Sequence, residues 1–335
     1  MNIALLFGGR GAEHSVSVRS AQAVLPRLTA LGHRVFPIGV AKTGDLFCYR
    51  GLPAALGEDF FRDSVPLSLR FTQGTLLFET ADGEHVTPSL VFSVLHGTDG
   101  EDGVWQGLLT LGRVPFVGAG VSASAITMNK RITKELVRAH GVPTVPAIAT
   151  RTADEALCAR VAHALRYPLF VKPVTGGSSV GVSRVTQEAE LLPAVVLALA
   201  DAEEALIEEA VDGSELELAV LERDGTLLLS PPGEIRTQGG FYDYDTKYRD
   251  GTAAFALPAP LSLWETAYVK QLAATAFRVL GCRDLARVDF LRRHDGKIFF
   301  NEINTLPGFT EDSLFPRLFS LIGIDPLVFL TEGRA

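Results

Sequence analysis

Cysteine is scarce in this chain, with three among 335 residues, at positions 48, 158 and 282. They show no metal-ligand spacing and are too scattered for a disulfide framework, so reduced and mostly buried thiols are expected. Long apolar runs are missing too. The longest, Leu191 to Ala200, contains Pro193 and stops at Asp201, which is too short to cross a bilayer. Met1 to Phe7 has no basic residue ahead of its apolar stretch and leads straight into glycines. It reads as a buried strand and not as a secretory leader, so a cytoplasmic protein without a membrane partner is expected. Basic charge is in deficit, with 31 Lys and Arg against 39 Asp and Glu, a net charge of -8. Without clustered Lys and Arg a nucleic-acid partner is excluded, although small anions can still bind locally. No internal repeat or low-complexity tract is evident.

What is present describes an ordinary globular protein, 47% hydrophobic and 21% charged. The length exceeds what one core usually serves, so two or three domains with clefts between them are expected. βα-like stretches fill the first 125 residues: a strand from Asn2 to Phe7, a glycine loop, and a helix capped by Ser17; then a strand over Ser89–Leu95 and a helix through Trp105 and Leu109. A helix is predicted from Met128 to His140, stopped by Gly141. A compact α/β module follows, with a strand ending at Lys172 and another over Ala205–Glu208. The fold class is therefore α/β, with domains expected at 1–125, 126–212 and 213–335.

The most informative segment is Arg287-Val-Asp289-Phe, continued through Asp295-Gly296 to Asn301-Glu302-Ile-Asn304. It reads as two strands joined by a two-residue Asp-Gly turn. Asp289 then faces Glu302 and Arg287 faces Asn304, all four on one face, while Val288, Phe290, Phe299 and Ile303 point the other way. Carboxylates about 5 Å apart repel by roughly 3 kcal/mol at an effective dielectric of about 20. A cation belongs between them, and carboxylates with an amide oxygen suit Mg²⁺ carrying nucleotide phosphates. The alternative is a solvated polar face on which Arg287 alone neutralises one acid.

Two glycine-rich segments invite an anion. Lys172-Pro-Val-Thr-Gly176-Gly-Ser178-Ser179-Val-Gly181 follows a strand, yet its lysine comes first and no Gly-Lys-Ser/Thr closes it, so it is not a Walker A loop. A strand-end lysine with a Gly/Ser flap fits phosphates from above; a plain hairpin loop is the alternative. Gly9-Arg-Gly11-Ala-Glu13-His14 starts like a dinucleotide fingerprint, but His14 replaces the third glycine and no acid follows about 20 residues on. Glu13 is either a helix-dipole carboxylate or an anchor for a ligand's ammonium group.

Taken with Leu95-His96-Gly-Thr-Asp-Gly-Glu101-Asp-Gly, Phe241-Tyr-Asp-Tyr-Asp-Thr-Lys247-Tyr248 and Asn301-Glu302-Ile-Asn304-Thr-Leu-Pro-Gly308, these segments resemble the D-alanine:D-alanine ligases of the ATP-grasp superfamily. The resemblance covers nearly the whole chain. It implies a three-domain ATP-grasp architecture with a Rossmann-like N-terminal domain, a cytoplasmic homodimer, and ligation of two D-alanines through an acyl phosphate formed by ATP. By the same resemblance Asp289, Glu302 and Asn304 hold two Mg²⁺ ions, with Mn²⁺ an alternative. Lys130, Lys172, Ser179 and Lys247 contact phosphates or nucleotide, Glu208 and Val211 the adenine, and Glu215 the ribose. Arg287 and the Gly308 backbone N–H stabilise the tetrahedral oxyanion. Glu13 holds the first D-alanine's ammonium, Ser313 meets the second one's carboxylate, and His96 lies between the two sites. Ser178 and Tyr248 link the closing loops to Glu13, and a tyrosine at 248 favours an amine over a hydroxy acid as second substrate. Another ATP-dependent ligase, and a non-catalytic nucleotide-binding regulator on the same scaffold, remain as alternatives; the intact Asp289, Glu302, Asn304 and Arg287 set speaks against the regulator.

Overall fold

A computed structural model describes residues 1–177, 180–236 and 254–333. β1 (Asn2–Gly8) is an apolar run buried on both faces, pairing in parallel with β2 (Arg34–Val40) and, on its other side, with β7 (Leu90–Ser93), as a strand covered on both faces can. Between β2 and β7 the chain departs from the βα expectation. β3 (Leu46–Tyr49), β4 (Ser64–Thr72), β5 (Thr75–Thr80) and β6 (His85–Val86) extend the sheet as an antiparallel meander in the order β6-β5-β4-β3-β2-β1-β7. Helix α1 (His14–Ala30) connects β1 to β2, and α2 (Val104–Leu111) follows β7. Ser17 does not cap α1. The helix begins three residues earlier, and the buried Ser17 hydroxyl donates to the Val94 carbonyl at 2.6 Å while accepting from Gly8 N at 2.8 Å, tying together the ends of β1 and β7.

The helix predicted over 128–140 is two: α3 (Val121–Met128) and α4 (Lys130–Ala139). Asn129 separates them with an extended backbone, and its side chain accepts from Ile132 N at 3.0 Å, an N-cap inside the expected span. β8 (Ala147–Thr150), β9 (Leu169–Pro173), β10 (Ser183–Val185) and β11 (Ala205–Glu209) form an antiparallel sheet in the order β10-β9-β11-β8, covered by α5 (Glu155–Ala164) and α6 (Leu191–Asp201). Its core is its own: Leu169, Val171 and Ile207 pack on Leu157, Val161 and Val195.

The third sheet contains β12 (Gly213–Arg223), β13 (Thr226–Leu229), β14 (Gly233–Arg236), β15 (Ala254–Ala256), β16 (Leu285–Arg293) and β17 (Ile298–Asn304). Its main path is β15-β14-β12-β16-β17, with β13 beside β12. α7 (Leu263–Val279), opened by a Ser262/Glu265 capping box, covers one face together with Val137 of α4. On the other side, Ala219 and Leu221, with Phe315 of α8 (Leu314–Ser320) and Leu327 of α9 (Pro326–Thr331), pack against Ile3, Leu5, Phe7 and Phe92. The first and third sheets thus share one core. No described helix is long and apolar enough to cross a membrane. All three cysteines are free, but only Cys48 is buried, the other two being half-buried.

The β16–β17 hairpin corrects the sequence reading twice. Arg293 N donates to Lys297 O at 2.8 Å, so the turn has three residues, His294-Asp295-Gly296, with Gly296 at φ +85°. That slips the pairing by one, placing Phe290 opposite Phe300, until an irregularity between Asp289 and Phe290 restores it. The unmatched residue is Asn301, a β-bulge. Beyond it Asp289 faces Glu302 and Arg287 faces Asn304, as expected. Below it Phe300, fully buried against Phe290 with ring centroids 6.1 Å apart, takes the core position expected for Phe299. Phe300→Ala should therefore destabilise the fold by about 3–5 kcal/mol, whereas Phe299→Ala should cost well under half of that; urea denaturation of the two variants measures the difference.

Candidate active site

Loops after β1 and β7, the glycine loop after β9, and the ends of β16 and β17 converge on a cavity of about 620 Å³. Glu13, His96, Lys130, Arg287, Glu302, Asn304, Gly308 and Ser313 all line it. They come from five separate stretches of sequence, four of them (Glu302, Asn304, Gly308 and Ser313) from β17 and the segment that follows it.

Its floor is a row of acids. On β12, β16 and β17 the register sets Glu217 opposite Asp289 and Asp289 opposite Glu302. Asp289 has no exposed surface, and a buried carboxylate needs a partner. Arg287, two residues away on the same face, donates from Nε to Oδ1 at 2.8 Å and from Nη2 to Oδ2 at 2.7 Å. The same Nε lies 3.0 Å from Glu217 Oε2, and Asn304 Nδ2 donates to Asp289 Oδ2 at 2.9 Å. Burial would weaken the guanidinium charge, but Asp289, Glu217 and Glu302 hold its pKa well above the ordinary value. Arg287 thus neutralises Asp289, as the simpler sequence alternative had it, yet one guanidinium faces several acids. Oxygens of Glu215, Glu217 and Asp289 lie within 4.8 Å of one another, with Glu302 directly across the strand pair. Excess negative charge presented through hard oxygen donors fits a divalent cation such as Mg²⁺ or Mn²⁺.

Above the acids stand three lysines. Lys130, at the start of α4, donates from Nζ to the Gly176 carbonyl at 2.5 Å, holding the glycine loop. Burial lowers its pKa against the pull of Glu302. Lys172, at the end of β9, lies with Nζ 2.5 Å from Glu208 Oε2, while Lys134 of α4 donates to Glu208 Oε1. Burial alone would raise the Glu208 pKa, but Lys134 and Lys172 together pull it down to about 2. Burial would likewise depress Lys172, yet Glu208, Glu302 and Glu215 leave it above the usual value. Lys134 fares differently: burial, aided by repulsion from Lys172, takes it down to about 8 despite Glu208. Two ammonium groups serve one carboxylate better than it serves both. Val211 lies in the crossing from β11 to β12, so Glu208, Val211 and Glu215 follow one continuous stretch from the central sheet to the third.

At the opposite end Glu13 precedes α1, and its carboxylate rests so close to Gly97 that a Cβ there would approach Oε2 to 2.2 Å. His96 is buried; its Nδ1–H donates to Leu306 O at 2.9 Å and its Nε2 accepts from Ser20 Oγ at 3.1 Å. Since a carbonyl can only accept, the tautomer is settled, and burial lowers the pKa so that the ring is neutral. Glu101 accepts from Gly97 N at 2.9 Å and Leu306 N at 3.0 Å, clasping the loop after β7 to the loop after β17. Ser313 Oγ accepts from Thr310 N at 3.2 Å and lies 2.7 Å from where a Gly308 Cβ would be, so any side chain at 308 would push the Ser313 hydroxyl from its place.

Ser178, Ser179, Lys247 and Tyr248 lie outside the described residues. Lys172, Val211, Glu208, Glu215 and Asp289 do not line this cavity. Sequence reasoning gave no role to Glu101, Lys134 or Glu217. The signals were there: Glu215-x-Glu217 has the spacing that puts both side chains on one strand face, and Lys130 and Lys134 are four apart on one helix face.

Family models described as the D-ala D-ala ligase N-terminus and C-terminus match residues 2–119 and 136–331. A D-alanine–D-alanine ligase of Corynebacterium aurimucosum is 40% identical over 337 residues, covering 97% of this chain and 94% of that protein. D-alanine–D-alanine ligase A of Mesorhizobium japonicum is 41% identical, covering 96% of this chain and 93% of that protein. Among solved structures, the VanG D-Ala:D-Ser ligase of Enterococcus faecalis superposes with a TM-score of 0.88 at 32% identity, covering 98% of this chain and 97% of the other. The D-alanine-D-alanine ligase of Coxiella burnetii gives 0.86 at 31% identity, covering 100% and 93%.

Burial, with the nearby Glu13 charge, raises the Glu101 pKa from 4.5 to about 7. The native state therefore holds a proton that the unfolded chain has already released between these values, and stability falls as pH rises through that window. Between pH 5 and pH 8 the wild type should lose about 1–3 kcal/mol relative to Glu101→Gln. Denaturant midpoints of both proteins at the two pH values measure it; parallel pH dependence would show that Glu101 titrates normally.

Proposed function

The chain belongs to the D-alanine–D-alanine ligase family, and on that premise we propose a role for each group at the cavity. The reaction is the ATP-dependent ligation of two D-alanine molecules to D-alanyl-D-alanine, a peptidoglycan precursor. A carboxylate oxygen of the first D-alanine attacks the γ-phosphorus of ATP, the bond to the bridging oxygen breaks, ADP leaves and an acyl phosphate remains. The amine of the second D-alanine, after losing a proton, attacks the acyl carbon, and phosphate leaves from the tetrahedral intermediate. Positioning and charge stabilisation are the protein's tasks.

The reading rests on one observation above others: Asp289, Glu302, Arg287 and Asn304 share a face where two strands end at a cavity that Lys130 also lines. Asp289, Glu302 and Asn304 would hold two Mg²⁺ ions, with Mn²⁺ able to substitute, which when bound neutralise the nucleotide phosphates. Lys130 and Lys172 hold phosphate oxygens, assisted by Ser179 and Lys247. Glu208 and Val211 receive the adenine and Glu215 the ribose. Glu13 accepts the first D-alanine's ammonium beside Gly97, and Ser313 takes the second one's carboxylate. Arg287 has its Nε and Nη2 edge engaged by acids, so it presents the rest of the guanidinium to the oxyanion, opposite the Gly308 N–H. Neutral His96 sits between the two amino-acid sites without competing for their charges. Ser178 and Tyr248 join the closing loops to Glu13 and exclude water from the acyl phosphate. Residues 1–125 supply the first amino-acid site, 126–212 and 213–335 the nucleotide grip. The family resemblance also supports a cytoplasmic homodimer.

Purified protein with ATP, Mg²⁺ and D-alanine should release phosphate, and should do so far faster than with D-lactate, D-serine or any L-amino acid as sole acceptor; turnover on L-amino acids alone would overturn the substrate assignment. Glu302→Gln, nearly isosteric, should lower turnover by at least ~10²-fold with an unchanged thermal transition. Near-normal rates in that variant would remove Glu302 from the catalytic set.

A further inference from the structure

The buried cluster around Glu208 holds a lysine, Lys134, to which the reading above gives no role. Lys172 closes β9 and Lys134 rises from the second turn of α4; their ammonium groups grip opposite oxygens of the same carboxylate. The side chains of Lys134 and Glu208 are 7% and 4% exposed, so neither is a surface pair that water could replace. Lys134 does not line the cavity; whatever it does, it does through Glu208 and Lys172.

We propose that Lys134 is a positioning residue for the nucleotide: by holding one oxygen of Glu208 it leaves Lys172 only partly neutralised, so that Lys172 keeps charge for a phosphate. This deepens the functional reading and rests on its placing of Lys172 and Glu208 at the nucleotide. A carboxylate has two oxygens and a single charge. With Lys134 in place that charge is divided between two ammonium groups, and the cluster of Lys130, Lys134 and Lys172 against Glu208 carries a positive excess that a triphosphate can meet. Remove the Lys134 ammonium and Glu208 closes on Lys172, the other ammonium in contact with it. Glu208 also keeps lone pairs free of Lys134 and Lys172, enough to accept an exocyclic amino group while staying anchored.

Glu208 on β11, Lys172 on β9 and Glu302 on β17 are the charged groups acting on Lys134. Burial depresses its pKa to about 8, so its charge should be lost in mildly alkaline solution. The second phosphate ionisation has its pKa near ~6 and is nearly complete by pH ~7.5, leaving the window above that clear of the ligand's own titration.

Titration calorimetry with Mg·ADP in the absence of D-alanine, at pH 7.5 and 9.2, is the direct measurement. The wild-type Kd should weaken several-fold across this interval, and Lys134→Arg, which cannot deprotonate, should weaken markedly less, what remains being due to Lys130, whose pKa burial also lowers. Lys134→Met should weaken ADP binding about tenfold or more at pH 7.5 and raise the KM for ATP correspondingly, with kcat at saturating ATP and the KM for D-alanine little changed. An unaltered Kd in Lys134→Met with only a lower melting temperature, or the same alkaline weakening in wild type and Lys134→Arg, would overturn the proposal. If Lys134→Met does not fold, the comparison of wild type with Lys134→Arg decides alone. Wild type that binds ADP but releases no phosphate with D-alanine would sink the functional reading, and the ADP titrations would still judge Lys134.

Discussion

A fully buried carboxylate with a guanidinium built for it is the constraint on which this site depends. Asp289 has no access to water, and leaving such a charge unmatched would cost about 3–5 kcal/mol. The answer is local: Arg287 is two residues away on the same strand, so the pleat alone delivers it to the same face, and the two-point bond fixes its orientation. Glu217, across on β12, shares Nε. With the inner edge so occupied, the outer edge faces the cavity, and Glu302 on the neighbouring strand is an acid whose field reaches both Lys130 and Lys172. The acids lie on the strands of the third sheet and the lysines on β9 and α4, so that both signs of charge act on the same site from different elements.

How much of this was legible in the sequence depends on the range over which each feature is determined. The facing of Asp289 and Glu302 follows from strand periodicity and was read correctly, although by way of a turn that does not form. The three-residue turn and the Asn301 bulge shift the register in opposite senses, and the errors cancel beyond residue 301. Only the apolar side betrays them, where Phe300 and not Phe299 enters the core. A bulge has no strong local signature, because it is decided by which aromatic ring fits against Phe290. The β3 to β6 meander escaped for a related reason: its strands are short, and β4 buries only Leu67, so alternation is faint. Ser17 had the right chemistry for a helix cap and instead bonds Gly8 on β1 and Val94 just past β7, a tertiary override of a local preference. Glu101, Lys134 and Glu217 needed partners far along the chain before their roles could be seen.

The units are unequally joined. Arg283 Nε donates to the Gly118 carbonyl and Asp284 accepts from Gly118 N, both at 2.8 Å, pinning the exit of the first sheet to the start of β16. His96 and Glu101 add bonds to both backbone groups of Leu306. Beneath these ties runs the common core of Phe7, Phe92, Leu221, Phe315 and Phe319. The central sheet has a core to itself, and it meets the third through shorter links, among them Phe300 N donating to Pro143 O at 2.7 Å.

That asymmetry bears on how such a protein diversifies. Homologous recombination exchanging only the stretch from β8 to β11 would cut through none of the ties between Gly118 and Asp284 or between Glu101 and Leu306, and would leave the shared aromatic core with its original partners. A crossover separating the first sheet from the third would split that core between two parents. Over evolutionary time the central stretch is therefore the part more readily traded among lineages, provided it still meets Lys130 and Lys134 of α4, while the two flanking parts must change together.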